Sequence, residues 1–305
     1  MPIRFFRLRA AIGAAAAVLL GAGSARAASP SPRPQSGAKA AKHMLFRVRG
    51  PNGATVYLLG SVHLLSPESA TLPPEVDSAF AQAKSIGFET SIDTLQMRAM
   101  ELMSRAQYTN GATLRGSISP ATAAHADSLI KSYGLTLDQL NGFKPWFVSV
   151  ALPQLVLQKM GFKAELGVDM QLHVRAKAAS KPEFGLESTD FQLGLFDSLS
   201  PQDQEKMLKE IVAPDSAAKQ MKAVRDAWSS GNGAALDSLL NNGMKSSPGV
   251  FAALITNRNQ AWIPKLESLI RGKDDALVVV GAGHLVGKEG VVELLRAKGY
   301  TIEQL

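Results

Sequence analysis

Apolar and polar positions alternate along this chain with two periods, and the periods change at a few clear points. Met44–Arg49 and Thr55–Leu59 are β-rich runs on either side of Gly50-Pro51-Asn52-Gly53, so they read as an antiparallel hairpin closed by a turn. Ser85–Phe88 and Pro182–Leu186 read as short strands, and Ala276–Val280 (ALVVV) as a buried strand between Asp274-Asp275 and Gly281. Helical spacing fills most of the rest, near 76–84, 94–106, 120–132, 146–160 and 168–179, and again near 190–198, 201–212, 216–229, 233–241 and 250–271. A helix over Gly290–Lys298 is closed by Gly299, and Tyr300–Gln304 reads as a last, edge-like strand. Strands near both ends of the chain and a large helical insert between them predict an α/β fold, with a central mixed sheet and helices packed on it.

The first residues follow a different pattern. Arg4, Arg7 and Arg9 precede an apolar run, Ala10–Ala22, and Ala25-Arg26-Ala27 follows it. That order is a secretory signal peptide over residues 1–27, with cleavage expected after Ala27. The run is too short to span about 30 Å of hydrocarbon, so no stable membrane anchor is expected after cleavage. Residues 28–43 read as a flexible Pro/Ser/Ala linker, and residues 44–305 as one folded domain. The expected location is periplasmic or secreted.

Charge and cysteine content narrow the function classes. The formal charge is +7, but 7 of the 33 basic residues and none of the 26 acidic ones lie in residues 1–42. The remainder balances 26 against 26, so the excess belongs to targeting and gives no reason to expect nucleic acid as a partner. With no cysteine, disulfides, thiol nucleophiles and Cys-zinc sites are excluded.

The chemistry gathers at the carboxyl ends of four predicted strands. Val56–Leu59 runs into Gly60-Ser61-Val62-His63, and Val278–Val280 into Gly281-Ala282-Gly283-His284. Ile86-Gly87-Phe88 ends at Glu89, and Phe184-Gly185-Leu186 at Glu187. In an open α/β sheet the site forms outside the carboxyl ends of the strands, so parallel neighbours would bring two His and two Glu together. Imidazole and carboxylate suit a divalent metal, which lowers the pKa of a bound water, while a Glu off the metal serves as general base. A bland alternative stands beside this: single strand-end histidines are often structural. His43 abuts the linker and reads as solvated, and His125 lies on a polar helix. His173 follows Gly167-Val168-Asp169 on a helix that Asp169 would cap.

These motifs, taken in order, resemble the TraB/GumN family, which also takes in Tiki-type proteins. The two strand-GxxH motifs and the strand-terminal Glu89 carry the resemblance. Lys144-Pro145-Trp146, Gly167-Val168-Asp169, Gly185-Leu186-Glu187 with Gln192, Arg258-Asn259 and the tail from Gly281 extend it over about 44–305. The resemblance implies an α/β fold with both GxxH motifs at one site, and a metal-dependent hydrolase, plausibly a metallopeptidase, acting on a peptide or small-molecule substrate. His63, His284 and Glu89 would ligate a divalent ion (Mn, Co or Zn). Glu89 or Glu187 would act as base, and Arg258 and Asn259 would stabilise charge on the substrate. Distant relatives imply two alternatives: a metal-free hydrolase with His63 as general base, or a non-catalytic protein that binds haem, metal or peptide. Trp146 and Trp262 read as core.

Overall fold

The computed structural model describes residues 42–211 and 214–305. The expected signal peptide, and the linker up to residue 41, lie outside the described residues. Among the described residues no helix is long and apolar enough to cross a membrane.

Six strands form one mixed sheet: β1 (Leu45–Arg49), β2 (Thr55–Ser61), β3 (Ser85–Phe88), β4 (Glu183–Gly185), β5 (Ala276–Gly281) and β6 (Ile302–Gln304). Their order across the sheet is β4-β3-β5-β2-β1-β6. The hairpin forms as the turn signal predicts, antiparallel with Leu45 opposite Leu59, and Gly53 supplies the turn at φ 96°. β6 pairs antiparallel with β1 at the sheet edge. β4, β3, β5 and β2 are all parallel neighbours, which is the condition the strand-end motifs required. β5 lies in the middle of this set, and an unbroken apolar run suits it because both faces are covered.

The buried residues fall into two large clusters. One joins the sheet to its flanking helices, through Leu58, Ile86, Leu172, Trp262, Leu266 and Leu277. The other lies within the helical insert, through Leu114, Ile130, Leu137, Trp146, Phe147 and Leu152. The segment predicted near 94–106 forms two helices, Ile92–Met97 and Ala99–Arg105, divided at Arg98, while Pro120–Ser132 and Pro145–Lys159 follow the predicted spacing. Ser91 and Ser119 cap the first and third of these by accepting the N–H of Thr94 and Thr122.

π-Turns interrupt two more of the predicted helices. The segment predicted over 250–271 divides into Pro248–Phe251, a wide π-turn at Ala252–Thr256 and Asn257–Ile270. The segment over 233–241 passes from Gly233–Leu236 into a second π-turn, Asp237–Asn241. A π-turn inserts a residue into the helical ladder, and such turns gather at functional sites. Here the first one ends two residues before Arg258. His43 is not solvated: its ring is 16 % exposed and lies 3.3 Å from Glu75.

Candidate functional site

The register fixes where the strand-end residues emerge. Ser61 is level with Gly281 across β2 and β5, and Phe88 with Val279 and Gly185 across β3, β5 and β4. His63, Glu89, Glu187 and His284 therefore leave the sheet along one edge. The helical insert rises over that edge and closes a cavity of about 480 Å³, lined by Ser61, His63, Glu89, Asp169, Gln192, Arg258 and His284 among others.

Gly281 explains the glycine of the second GxxH. A Cβ there would lie 3.2 Å from Glu89 Oε1 and 3.7 Å from His63 Nε2, and its N–H donates to Glu89 Oε1 at 2.8 Å. The glycine lets the backbone pass directly beneath the site. Gly167 plays the same part for His63: a Cβ there would lie 2.3 Å from the His63 carbonyl oxygen.

Arg258 is the hub. It is 6 % exposed, and every N–H of its guanidinium is engaged. Nε donates to Glu187 Oε2 at 3.0 Å, and Nη2 to Glu187 Oε1 at 2.7 Å and Glu89 Oε2 at 2.6 Å. Nη1 donates to His284 Nε2 at 3.0 Å and to the Leu254 carbonyl at 3.3 Å. Burial is the largest single influence and would raise the Glu89 carboxyl, but the Arg258 guanidinium, the neighbouring imidazoles and the Gly281 N–H together outweigh it and hold Glu89 well below the usual range. At Glu187 burial wins against the same cation, and its carboxyl is raised. Trp262, 1 % exposed, completes the cluster by donating Nε1–H to Glu187 Oε2 at 3.0 Å.

His284 is neutral and fixed. Asn259 Nδ2 donates to the carbonyls of His284 and Glu289, which turns Asn259 Oδ1 toward His284 Nδ1 at 2.7 Å. Nδ1 therefore carries the proton and Nε2 accepts from Arg258. Burial first, then the neighbouring Arg258 and His63, push the ring down to about 3. Asn259 is fully buried and does not line the cavity; it orients His284.

His63 differs in each respect. Its Nδ1 lies 2.8 Å from Asp169 Oδ1, while Nε2 has no hydrogen-bond partner among the described residues and borders the cavity. Asp169 raises the ring above its ordinary value. The side chain is 61 % exposed, so water damps the pull and the upward direction is what the pair fixes. Asp169 was expected to cap its helix; Gly167 holds that position without a side-chain bond, and Asp169 faces His63 instead. The Gly-Val-Asp motif was the signal for it, since a helix start beside a strand end can aim a carboxylate at an imidazole.

His173, one turn after Asp169, lies outside the cavity lining. Its Nδ1 is 2.9 Å from Glu183 Oε1 and its Nε2 3.3 Å from Asp93 Oδ1. Among the described residues, Asp93, His173 and Glu183 form the group whose ligand atoms all lie within 4.8 Å of one another, the spacing of a possible metal site. The Lys177 ammonium already bridges its two carboxylates, bonding Asp93 and lying 3.1 Å from Glu183.

A metal at the main site can be tested on its donors. His63 Nε2 and Glu89 Oε1 flank the Gly281 cradle, but His284 Nε2 is occupied by an Arg258 N–H. His63, Glu89 and His284 do not form a group within the 4.8 Å spacing. Both Glu carboxylates are already compensated by a cation. As arranged, this donor set does not fit a divalent ion.

The comparisons with known proteins agree with the motifs. The chain is 24 % identical to the Escherichia coli (strain K12) "Uncharacterized protein YbaP" over 246 residues, 81 % of this chain and 89 % of that one. It is 23 % identical to an uncharacterized protein of Treponema pallidum (strain Nichols) over 278 residues, 84 % of this chain and 81 % of that one. No solved structure matches. The model of the TraB/PrgY/gumN family matches residues 44–304, nearly the whole of the described chain, and the protein belongs to that family.

Proposed function

We propose that this protein is an exported hydrolase in which His63 is the general base. The observation that carries this reading is the state of the His63 ring: Nδ1 is anchored by Asp169 at 2.8 Å and Nε2 is unpartnered at the cavity. A histidine held this way has one tautomer and one orientation, and the carboxylate stabilises the imidazolium formed when Nε2 takes a proton; because the same carboxylate raises the ring, the base form gains as pH rises. In the proposed step, water bonds to the substrate carbonyl carbon as its proton passes to Nε2. The same proton then goes to the leaving group as the carbon–heteroatom bond breaks. Ser61, buried with an unpartnered Oγ in the cavity lining, is placed to donate to the oxygen that gains charge. Arg258, with every N–H taken, holds Glu89, Glu187 and His284 in place beneath.

Purified protein would be assayed on peptide and ester panels with and without chelator, alongside elemental analysis. The expected result is turnover that chelator does not change, lost in His63→Ala with the fold intact. Stoichiometric Mn, Co or Zn with loss of turnover on chelation would refute the reading and assign His63, His284 and Glu89 to a metal. Bound haem or metal with no turnover would make the protein a binding protein. Export is tested separately: amino-terminal sequencing of native protein should begin at Ala28, and an intact Met1 would overturn it.

A further inference from the structure

The base and its partners form only part of the cavity lining. The walls come from the helical insert and are apolar, with Leu95, Leu102, Trp146, Leu193 and Phe196 facing the same space. Two amide side chains break this wall: Gln154 and Gln192, each with a buried Oε1 that has no hydrogen-bond partner. A buried polar atom left unpaired costs about 1–3 kcal/mol, and native interiors keep few of them. The orientation of Gln192 is set by a neighbour. Its Nε2 donates to Glu89 Oε2 at 3.4 Å, and a carboxylate can only accept, so Oε1 is the end left over.

The charges of the lining select against anions. Glu89 and Asp169 face the cavity with Glu187 behind, against Arg258 and, in its protonated form, His63. With His284 neutral the lining carries no net positive charge whichever form His63 takes. Arg258 has no donor to spare for a carboxylate or phosphate. The Gln192 acceptor requires a donor, the walls require apolar surface, and the charge disfavours an anion.

We propose that the cavity recognises an uncharged secondary amide carrying a large apolar group, with the amide N–H donated to Gln192 Oε1 and the apolar group against the insert. An N-acyl amide or an internal peptide bond beside a bulky apolar residue has this chemistry; a free acid does not. The proposal rests on the reading that this cavity is the substrate site, but its test reads binding and needs no turnover.

Three probes with one heptyl chain separate the requirements: N-methyloctanamide, the ketone in which CH2 replaces its N–H, and octanoate. Titration calorimetry on the wild-type chain should give the amide about tenfold tighter than the ketone, the worth of one hydrogen bond to an otherwise unpaired acceptor. Octanoate should bind weakest. In Gln192→Met the amide-to-ketone ratio should fall to about one. Leu102→Ala should weaken amide and ketone alike and keep their ratio, which supports the proposal even if Gln192→Met does not fold. Equal affinities for amide and ketone in the wild type, tightest binding of octanoate, or no saturable binding would overturn it. Tight amide binding without hydrolysis of any panel would instead leave this proposal standing and refute the hydrolase reading.

Discussion

Replacing Arg258 with methionine keeps the length of the side chain and removes the cation that pairs with both Glu89 and Glu187. Glu89 would retain the Gly281 N–H at 2.8 Å and the weak Gln192 contact at 3.4 Å; Glu187 would retain Trp262 at 3.0 Å. Breaking a buried ion pair from one side costs about 3–5 kcal/mol, because the remaining charge stays desolvated. For a domain of this size that corresponds to a fall in Tm of roughly 10 °C. The pH dependence gives a second check. With the cation gone, burial raises both carboxyls above their unfolded value of about 4.5, and groups shifted that way cost stability above it. In the wild type Glu89 is shifted down, so its contribution is intact above 4.5 and lost only in stronger acid. The deficit of the variant should therefore be largest at neutral pH and shrink as pH falls toward about 5. Thermal unfolding of both proteins at several pH values measures this. A neutral-pH loss below about 1 kcal/mol, or a deficit that grows on acidification, would refute the account of Arg258 as the cation that makes this burial tolerable.

Asp169→Asn should lower the His63 titration seen by NMR by about one unit or more, toward its ordinary 6.5, and an unchanged titration would separate the two residues. The raised ring contributes stability below 6.5 that is lost as pH rises through its folded value, so the stability difference between wild type and variant should fade in alkali. Glu205 is held down to about 2, first by the Ser119 hydroxyl and then by Thr122. Its stability is present above about 4.5 and lost as pH falls from there through about 2; Glu205→Gln should cost about 1–2 kcal/mol at pH 7 in urea titrations and little near pH 2. Gly167→Ala should destabilise by about 1–3 kcal/mol by driving its Cβ into the His63 carbonyl, and a stable variant with an unmoved His63 resonance would contradict the close approach.

Most of the architecture was legible in the chain. The Gly50–Gly53 turn between two β-rich runs specified a hairpin, and the unbroken ALVVV run specified a strand covered on both faces, because those patterns act locally. The strand-end motifs were legible too, since glycine followed by a functional residue after an apolar run records a backbone approach. The π-turns were not: they keep helical composition and differ only in one inserted residue, which periodicity over 250–271 averages away.

Sequence by itself determined which residues stand at strand ends and, through the ordered motifs, the family. Tertiary structure alone decided their partners. The parallel order β4-β3-β5-β2 brought residues from both ends of the chain to one edge. Packing then gave His63 the Asp169 carboxylate and left it open to the cavity, while His284 was buried between Asn259 and Arg258. Two GxxH motifs that look alike as sequence thus carry unlike imidazoles, because burial and the charge of the nearest neighbour, neither of which is local in the chain, set the protonation and the free valence of each ring.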